Sequence, residues 1–257
     1  MSYLVICTVA FAASALTFFS GFGLGTLLLP AFALFFAIEK AVALTAVVHF
    51  LNGVFKLLLV WRHIDHAVVV RFGLPAIVGA LAGAWVLVWL AQGSSLVTYS
   101  LFGRAVELAP AKLVVGLLLL LFACPELLPA FRTIAFPARL QPLGGLLSGF
   151  FGGLAGMQGA LRSAFLVKAG LTKEAYVATG AAIAFLIDVS RLSIYSRLIL
   201  EQRAEFDYGL VSAAVFTALL GSLLGNHFLP KATMRGIQGL VAVLLFAVAL
   251  GLITGLL

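Results

Sequence analysis

Residues 144–162 read GGLLSGFFGGLAGMQGALR, seven glycines in nineteen positions, with a cation at the end. The apolar run that follows, 159–170, is too short to cross a bilayer, which takes roughly 20 apolar residues and about 17 at least. Glycine tolerates unusual φ and close backbone approach. Non-helical backbone at membrane depth survives only beside protein or a water-filled cavity. The stretch therefore predicts a helix that breaks inside a membrane, and an N-terminal counterpart, Gly21-Phe22-Gly23-Leu24-Gly25 closed by Pro30, predicts another.

The rest of the chain supplies the membrane. Of 257 residues, 63% are hydrophobic and only 10% charged, against about 25% charged in soluble domains. Mean hydropathy is +1.20. Apolar segments run at 3–20, 22–37, 41–61, 67–91 and 109–130, then at 140–156, 159–170, 174–198, 207–229 and 234–256. Residues 92–108 read as a loop with a short interfacial piece, and 131–141 as a linker. Met1 to Phe19 has no charged leader region and reads as a retained first span. The expected fold is an all-α polytopic membrane protein with two homologous repeats of about five segments, 1–130 and 142–257.

Internal matches carry the repeat. Ser20-Gly21-Phe22 recurs as Ser148-Gly149-Phe150, and Glu39-Lys40-Ala41 before Thr45 is echoed by Lys173-Glu174-Ala175 before Thr179. Asp65 followed by Gly79-x3-Gly83 returns as Asp207 followed by Gly221-x3-Gly225, both displaced by 142 (207 − 65, 221 − 79). These last pairs read as small-residue helix packing. Five crossings per half, or a re-entrant hairpin, would invert the halves; one broken span would leave them parallel. Loop Lys and Arg weakly favour both termini outside.

Net charge is +7 without basic clusters, so nucleic acid is not an expected partner and most cations set topology. A charge at mid-bilayer costs about 2.5–3.5 kcal/mol on insertion scales, so it faces a cavity or a partner. His49, Asn52 and Lys56 stand at i, i+3, i+7, as do Asp188, Arg191 and Tyr195; each trio reads as a cavity-lining face. Lys56 can alternatively snorkel, and Asp188 can simply pair with Arg191. Arg162, just after Gln158, opposes the dipole of the helix it opens, which a bound anion would explain. The substrate-binding set is thus Arg162, Arg191, Lys56, Asn52, His49, Gln158, Tyr195 and the glycines Gly23, Gly25 and Gly156. Asp188 or His49 would carry a coupling proton.

His63 and His66 around Asp65 read as a solvated loop rather than a metal site, and Cys7 and Cys124 as plain apolar-segment residues. No nucleophile set or paired carboxylates stand out, so neither an enzyme nor a cofactor is expected. A membrane accessory subunit is the competing class.

The pattern Ser-Gly-x-Gly-x-Gly-x4-Pro near the N-terminus, Ala41-x3-Thr45 and Ala175-x3-Thr179, and the second-half repeat resemble the TauE/SafE sulfite exporter family over nearly the whole chain. Gly156-Met157-Gln158-Gly159 with Arg162 departs from that family's usual Gly-Gly-Gly and Pro. The resemblance implies secondary transport, as an exporter, of sulfite, a sulfonate or another small anion across a bacterial inner membrane. The expected partners are the anion, membrane lipid and a second copy in a homodimer.

Overall fold

The computed structural model describes residues 1–20, 23–101, 104–127, 135–201, 207–228 and 234–257. Gly21 and Phe22, the linker start 131–134, loop residues 202–206 and 230–233, and the Cys124 side chain lie outside what it describes.

Nearly every predicted segment is a helix: α1 (Ser2–Ser20), α2 (Leu24–Ala33), α3 (Ile38–Val60), the short α4 (His66–Val68), α5 (Leu74–Ala91), α6 (Pro110–Leu127), α7 (Gln141–Ala155), α8 (Gly159–Leu166), α9 (Lys173–Glu201), α10 (Tyr208–Phe228) and α11 (Met234–Ile253). A π-helical turn, Val69–Gly73, joins α4 to α5. Among the described residues three helices are long and apolar enough to cross a membrane: Ile38–His63, His66–Ala91 and Lys173–Leu200. At 1.5 Å per residue, α2 reaches about 15 Å and α8 about 12 Å, half a hydrocarbon core or less.

One expectation is corrected. Residues 92–108 are not a plain loop: Val97–Leu101 (β1) and Arg104–Leu108 (β2) form an antiparallel hairpin. Tyr99 pairs across from Val106. The Tyr99 hydroxyl donates to the Thr254 carbonyl, and buried Val106 packs against Gly255. β-Branched and aromatic residues on the covered face favour the strand; Arg104 and Glu107 hide that alternation from a hydropathy reading.

Helices pack in four cross-chain pairs, α1 with α10, α3 with α9, α5 with α7 and α6 with α11. Backbone contact is closest between α5 and α7. A Cβ on Gly79 would lie 2.2 Å from the Leu146 carbonyl oxygen, and one on Gly83 2.0 Å from that of Phe150. From the other side, Cβ atoms on Gly145, Gly149 and Gly153 would each meet a carbonyl of Phe72, Ala76 or Ala80 at 2.1 Å. Three of the seven glycines in that stretch are therefore packing surface. α3 and α9 stack Phe50 on Phe185, 5.6 Å between ring centroids.

Asp65 and Asp207 do the same job. Each precedes a helix and accepts from the amide three residues on, Val68 at 3.0 Å and Leu210 at 2.9 Å. Asp207 also accepts from the Tyr3 hydroxyl, 2.8 Å away. The Leu210 amide first, then Tyr3, hold its carboxyl below the usual range. A carboxyl depressed on folding stabilises the protein above its unfolded value, about 3.9, and loses that contribution as pH falls through the folded value. Asp207→Asn keeps a capping oxygen but not the charge. Wild type should therefore melt above the variant near neutral pH, and the gap should close below about pH 4; thermal melts in detergent across pH check this.

Candidate functional site

The two predicted breaks meet. Gly23 adopts φ 112° immediately before α2, and Gly156 adopts φ 74° immediately after α7. Both lie in the left-handed region that glycine enters without strain. α2 and the α7–α8 junction then touch: a Cβ on Gly25 would lie 2.7 Å from the Gly156 carbonyl oxygen and 3.7 Å from His49 Cδ2. Backbone from both halves thus crosses at the centre, with α3 and α9 alongside.

Helix arithmetic explains which side chains reach this crossing. At about 100° per residue, positions i and i+7 diverge by only about 20°, while i+3 sits about 60° away. His49 and Lys56 accordingly share a side of α3. Lys56 lies within electrostatic range of Arg162 on α8. Asn52 turns the other way, where its Oδ1 accepts from Ser14 of α1 at 3.1 Å and Ser222 of α10 at 2.8 Å. Those two hydroxyls lie 2.6 Å apart. Asn52 is thereby placed in a buried polar knot tying three helices, outside the crossing.

Asp188 of α9 is the hub. It is fully buried. Its Oδ1 accepts from Gln158 Nε2 at 3.1 Å and from Arg191 Nε at 3.0 Å. Arg191 Nη2 sits 2.7 Å from the same oxygen, off the line of a hydrogen bond. His49 Nδ1 lies 2.6 Å from Oδ2; with the carboxylate ionised, Nδ1 carries the shared proton. Arg191 Nη1 donates to the Gly152 carbonyl at 3.3 Å, and the Tyr195 hydroxyl donates to that of Gly153. Both carbonyls lie in the last turn of α7, where that of Gly152 also accepts from the Gly156 amide at 2.9 Å. A Cβ on Gly156 would come within 3.0 Å of Arg191 Nη1.

Gln158 relays the hub to the second arginine. Its Oε1 accepts from Arg162 Nη1 at 3.1 Å, and Ser148 Oγ donates to its backbone carbonyl at 2.9 Å. Arg162 is 5% exposed, and a Cβ on Gly180 of α9 would lie 3.6 Å from its Nε. A continuous chain therefore runs His49–Asp188–Gln158–Arg162, and Lys56 lies within electrostatic range of its far end. Within that chain the carboxylate is Asp188 and the buried cations are Arg191 and Arg162, with half-buried Lys56 in electrostatic range, a lining that suits an anion.

Of the expected site residues, the fold brings together Arg162, Arg191, Lys56, His49, Gln158, Asp188, Tyr195, Gly25 and Gly156, with Gly23 at the start of α2. Sequence reasoning missed Ser14 and Ser222, lone serines in apolar helices that carry no spacing signal, and met Ser148 only as part of a repeat match, without a site role. It also missed Thr179, whose hydroxyl accepts from the Asp65 amide at 2.9 Å. The Asp65 carboxylate is occupied as a cap on the Val68 amide, while His63 and His66 are exposed.

Apolar helices around a buried, cation-rich crossing of broken helices define an integral membrane protein of the transporter class. The family described as Sulfite exporter TauE/SafE matches residues 6–252, essentially the whole chain, and the protein belongs to that family. Its members are membrane transporters rather than enzymes, and membership implies an exporter of the sulfite type. No curated protein and no solved structure matches the chain.

Proposed function

We propose that the protein is a secondary transporter exporting a small sulfur-containing anion, sulfite or an organosulfonate, across a bacterial inner membrane. The observation that carries this reading is the buried Arg162, tied through Gln158 and Asp188 to Arg191 beside the contact of α2 with the α7–α8 junction, with Lys56 within electrostatic range. The forked donors of Arg162 fit an oxyanion, and Lys56 adds a point charge. Arg191 acts differently: held by Asp188 and Gly152, it braces the crossing and adds to the field.

A repeat relation between residues 1–130 and 142–257 supports alternating access. Exchanging the halves would turn the α1–α10 pair into α7–α5 and map α3–α9 and α6–α11 onto themselves, which are the pairs observed. The matching Asp65 and Asp207 caps agree with it. Sites of inverted-repeat transporters lie at such repeat interfaces. Proton coupling would use Asp188 or His49, whose carboxylate and imidazole lie 2.6 Å apart.

Purified protein in proteoliposomes should move labelled sulfite or a labelled sulfonate. Arg162→Ala should weaken apparent affinity about tenfold to a hundredfold, the worth of one or two charge-assisted hydrogen bonds, and Lys56→Ala somewhat less. Correctly inserted variants that both transport at the wild-type rate would overturn the site.

A further inference from the structure

A cavity of about 680 Å³ opens beside the cation pair, walled by Leu59 and Val60 of α3, Leu166 of α8, Leu171, and Tyr176 and Val177 of α9. Its position follows from helical spacing. Val60 is four residues beyond Lys56, Leu166 four beyond Arg162, and Tyr176 four before Gly180, the residue against Arg162 Nε. Four residues is about one turn, or 5.4 Å. α9 runs antiparallel to α3, since Asp188 meets His49 while Thr179 meets Asp65 beyond the α3 end. All three steps therefore leave the cation pair in one direction. Tyr176 stands one turn from Gly180, where an added Cβ would lie 3.6 Å from Arg162 Nε, so the cavity wall begins about one helical turn from that cation.

The lining does not suit a bare oxyanion. Its inner wall is aliphatic with one phenol, and its polar members, His63, Thr172, Lys173 and Glu174, gather at the α9 N-terminus and the α3 end. Small organic ligands occupy cavities of about 300–1,000 Å³, whereas an inorganic oxyanion is of the order of a few waters at about 30 Å³ each.

We infer that this cavity is a subsite for the apolar body of an organic anion whose charged head rests between Arg162 and Lys56, and that Tyr176 and Val177 set how large that body can be. The inference rests on the proposed anion site and selects organic over inorganic cargo there. The occupant is the substrate's own carbon chain, because the groove begins one turn from the charges that would hold the head.

The test is a homologous series. Linear alkanesulfonates from methane- to hexanesulfonate should compete with labelled substrate in proteoliposomes with affinity rising roughly threefold to fourfold per methylene, until the cavity is full. Val177→Trp should pull the ratio of hexane- to methanesulfonate affinity toward one. Leu59→Trp, at a half-exposed wall position that tolerates a large apolar residue, should shorten the preferred chain and serves if Val177→Trp does not insert. A flat series in an active wild-type protein would overturn the subsite and leave the anion site standing. A rising series unaltered by either tryptophan would place the chain elsewhere and overturn it too. Failure of sulfite and every sulfonate to move at all would instead sink the transport reading beneath it.

Discussion

Asp188→Ala should unfold the centre of the protein before it can be assayed as a transporter. The carboxylate is fully buried and holds Gln158, Arg191 and His49 at once. Removing it leaves the Arg191 guanidinium buried without its counter-ion and frees Gln158 from one of its two partners. Deleting one member of a buried ion pair costs about 3–5 kcal/mol, a large share of the 5–15 kcal/mol that stabilises a typical protein. The expected result is a steep loss of monodisperse protein in detergent and a strongly lowered melting temperature. The isosteric Asp188→Asn should lose less, because Oδ1 can still accept. Adding Arg191→Met to Asp188→Ala should recover part of the stability by removing the stranded charge, without recovering transport. An Asp188→Ala protein that melts with wild type would show that the hub does not hold the crossing.

Gly83→Val should be comparably severe for a reason that involves no charge. The position already places Phe150's carbonyl where a Cβ would need to be, 2.0 Å away, with the Leu154 amide nitrogen at 2.9 Å. Overpacking a core usually costs about 1–3 kcal/mol because side chains can adjust. Here the obstacle is helix backbone, so α5 and α7 must separate. The closely seated Gly145, Gly149 and Gly153 would then lose their contacts together. Gly170→Ala is the matched comparison: its φ of 75° strains alanine, but nothing lies within 4 Å of the added carbon. It should cost about 1–2 kcal/mol and leave assembly intact. Melting curves that rank Gly170→Ala below Gly83→Val would refute this account of the α5–α7 contact.

Most of the helices were legible because the bilayer imposes a length and a polarity that a chain cannot disguise. The run 41–61 became Ile38–Val60, and 67–91 became the helix His66–Ala91. The hairpin at Val97–Leu108 was not legible: its strands are five residues each, the second charged, and they dock on Thr254 and Gly255, far along the chain. The site was read in part. Seven-residue spacing puts His49 with Lys56 and Asp188 with Tyr195 on one side of their helices. Three-residue spacing is looser, and Asn52 turned toward serines whose own positions gave no signal. Glycine was the most ambiguous letter. Gly153 and Gly156 are three residues apart in one motif, yet one seats a helix against α5 and the other ends α7 beside Arg191. Which role a glycine plays depends on what the fold brings to it.

The crossing of Gly25 and Gly156 has a mechanical consequence. Where two elements interlock through side chains, sliding one past the other means lifting knobs out of holes, and the resting positions become discrete. Here neither strand of backbone carries a knob, and a methyl on Gly25 would fall 2.7 Å from the opposing oxygen. The two backbones are held in contact only because Gly25 lacks that carbon; one added to Gly156 would press on Arg191 instead, so the two glycines guard different surfaces.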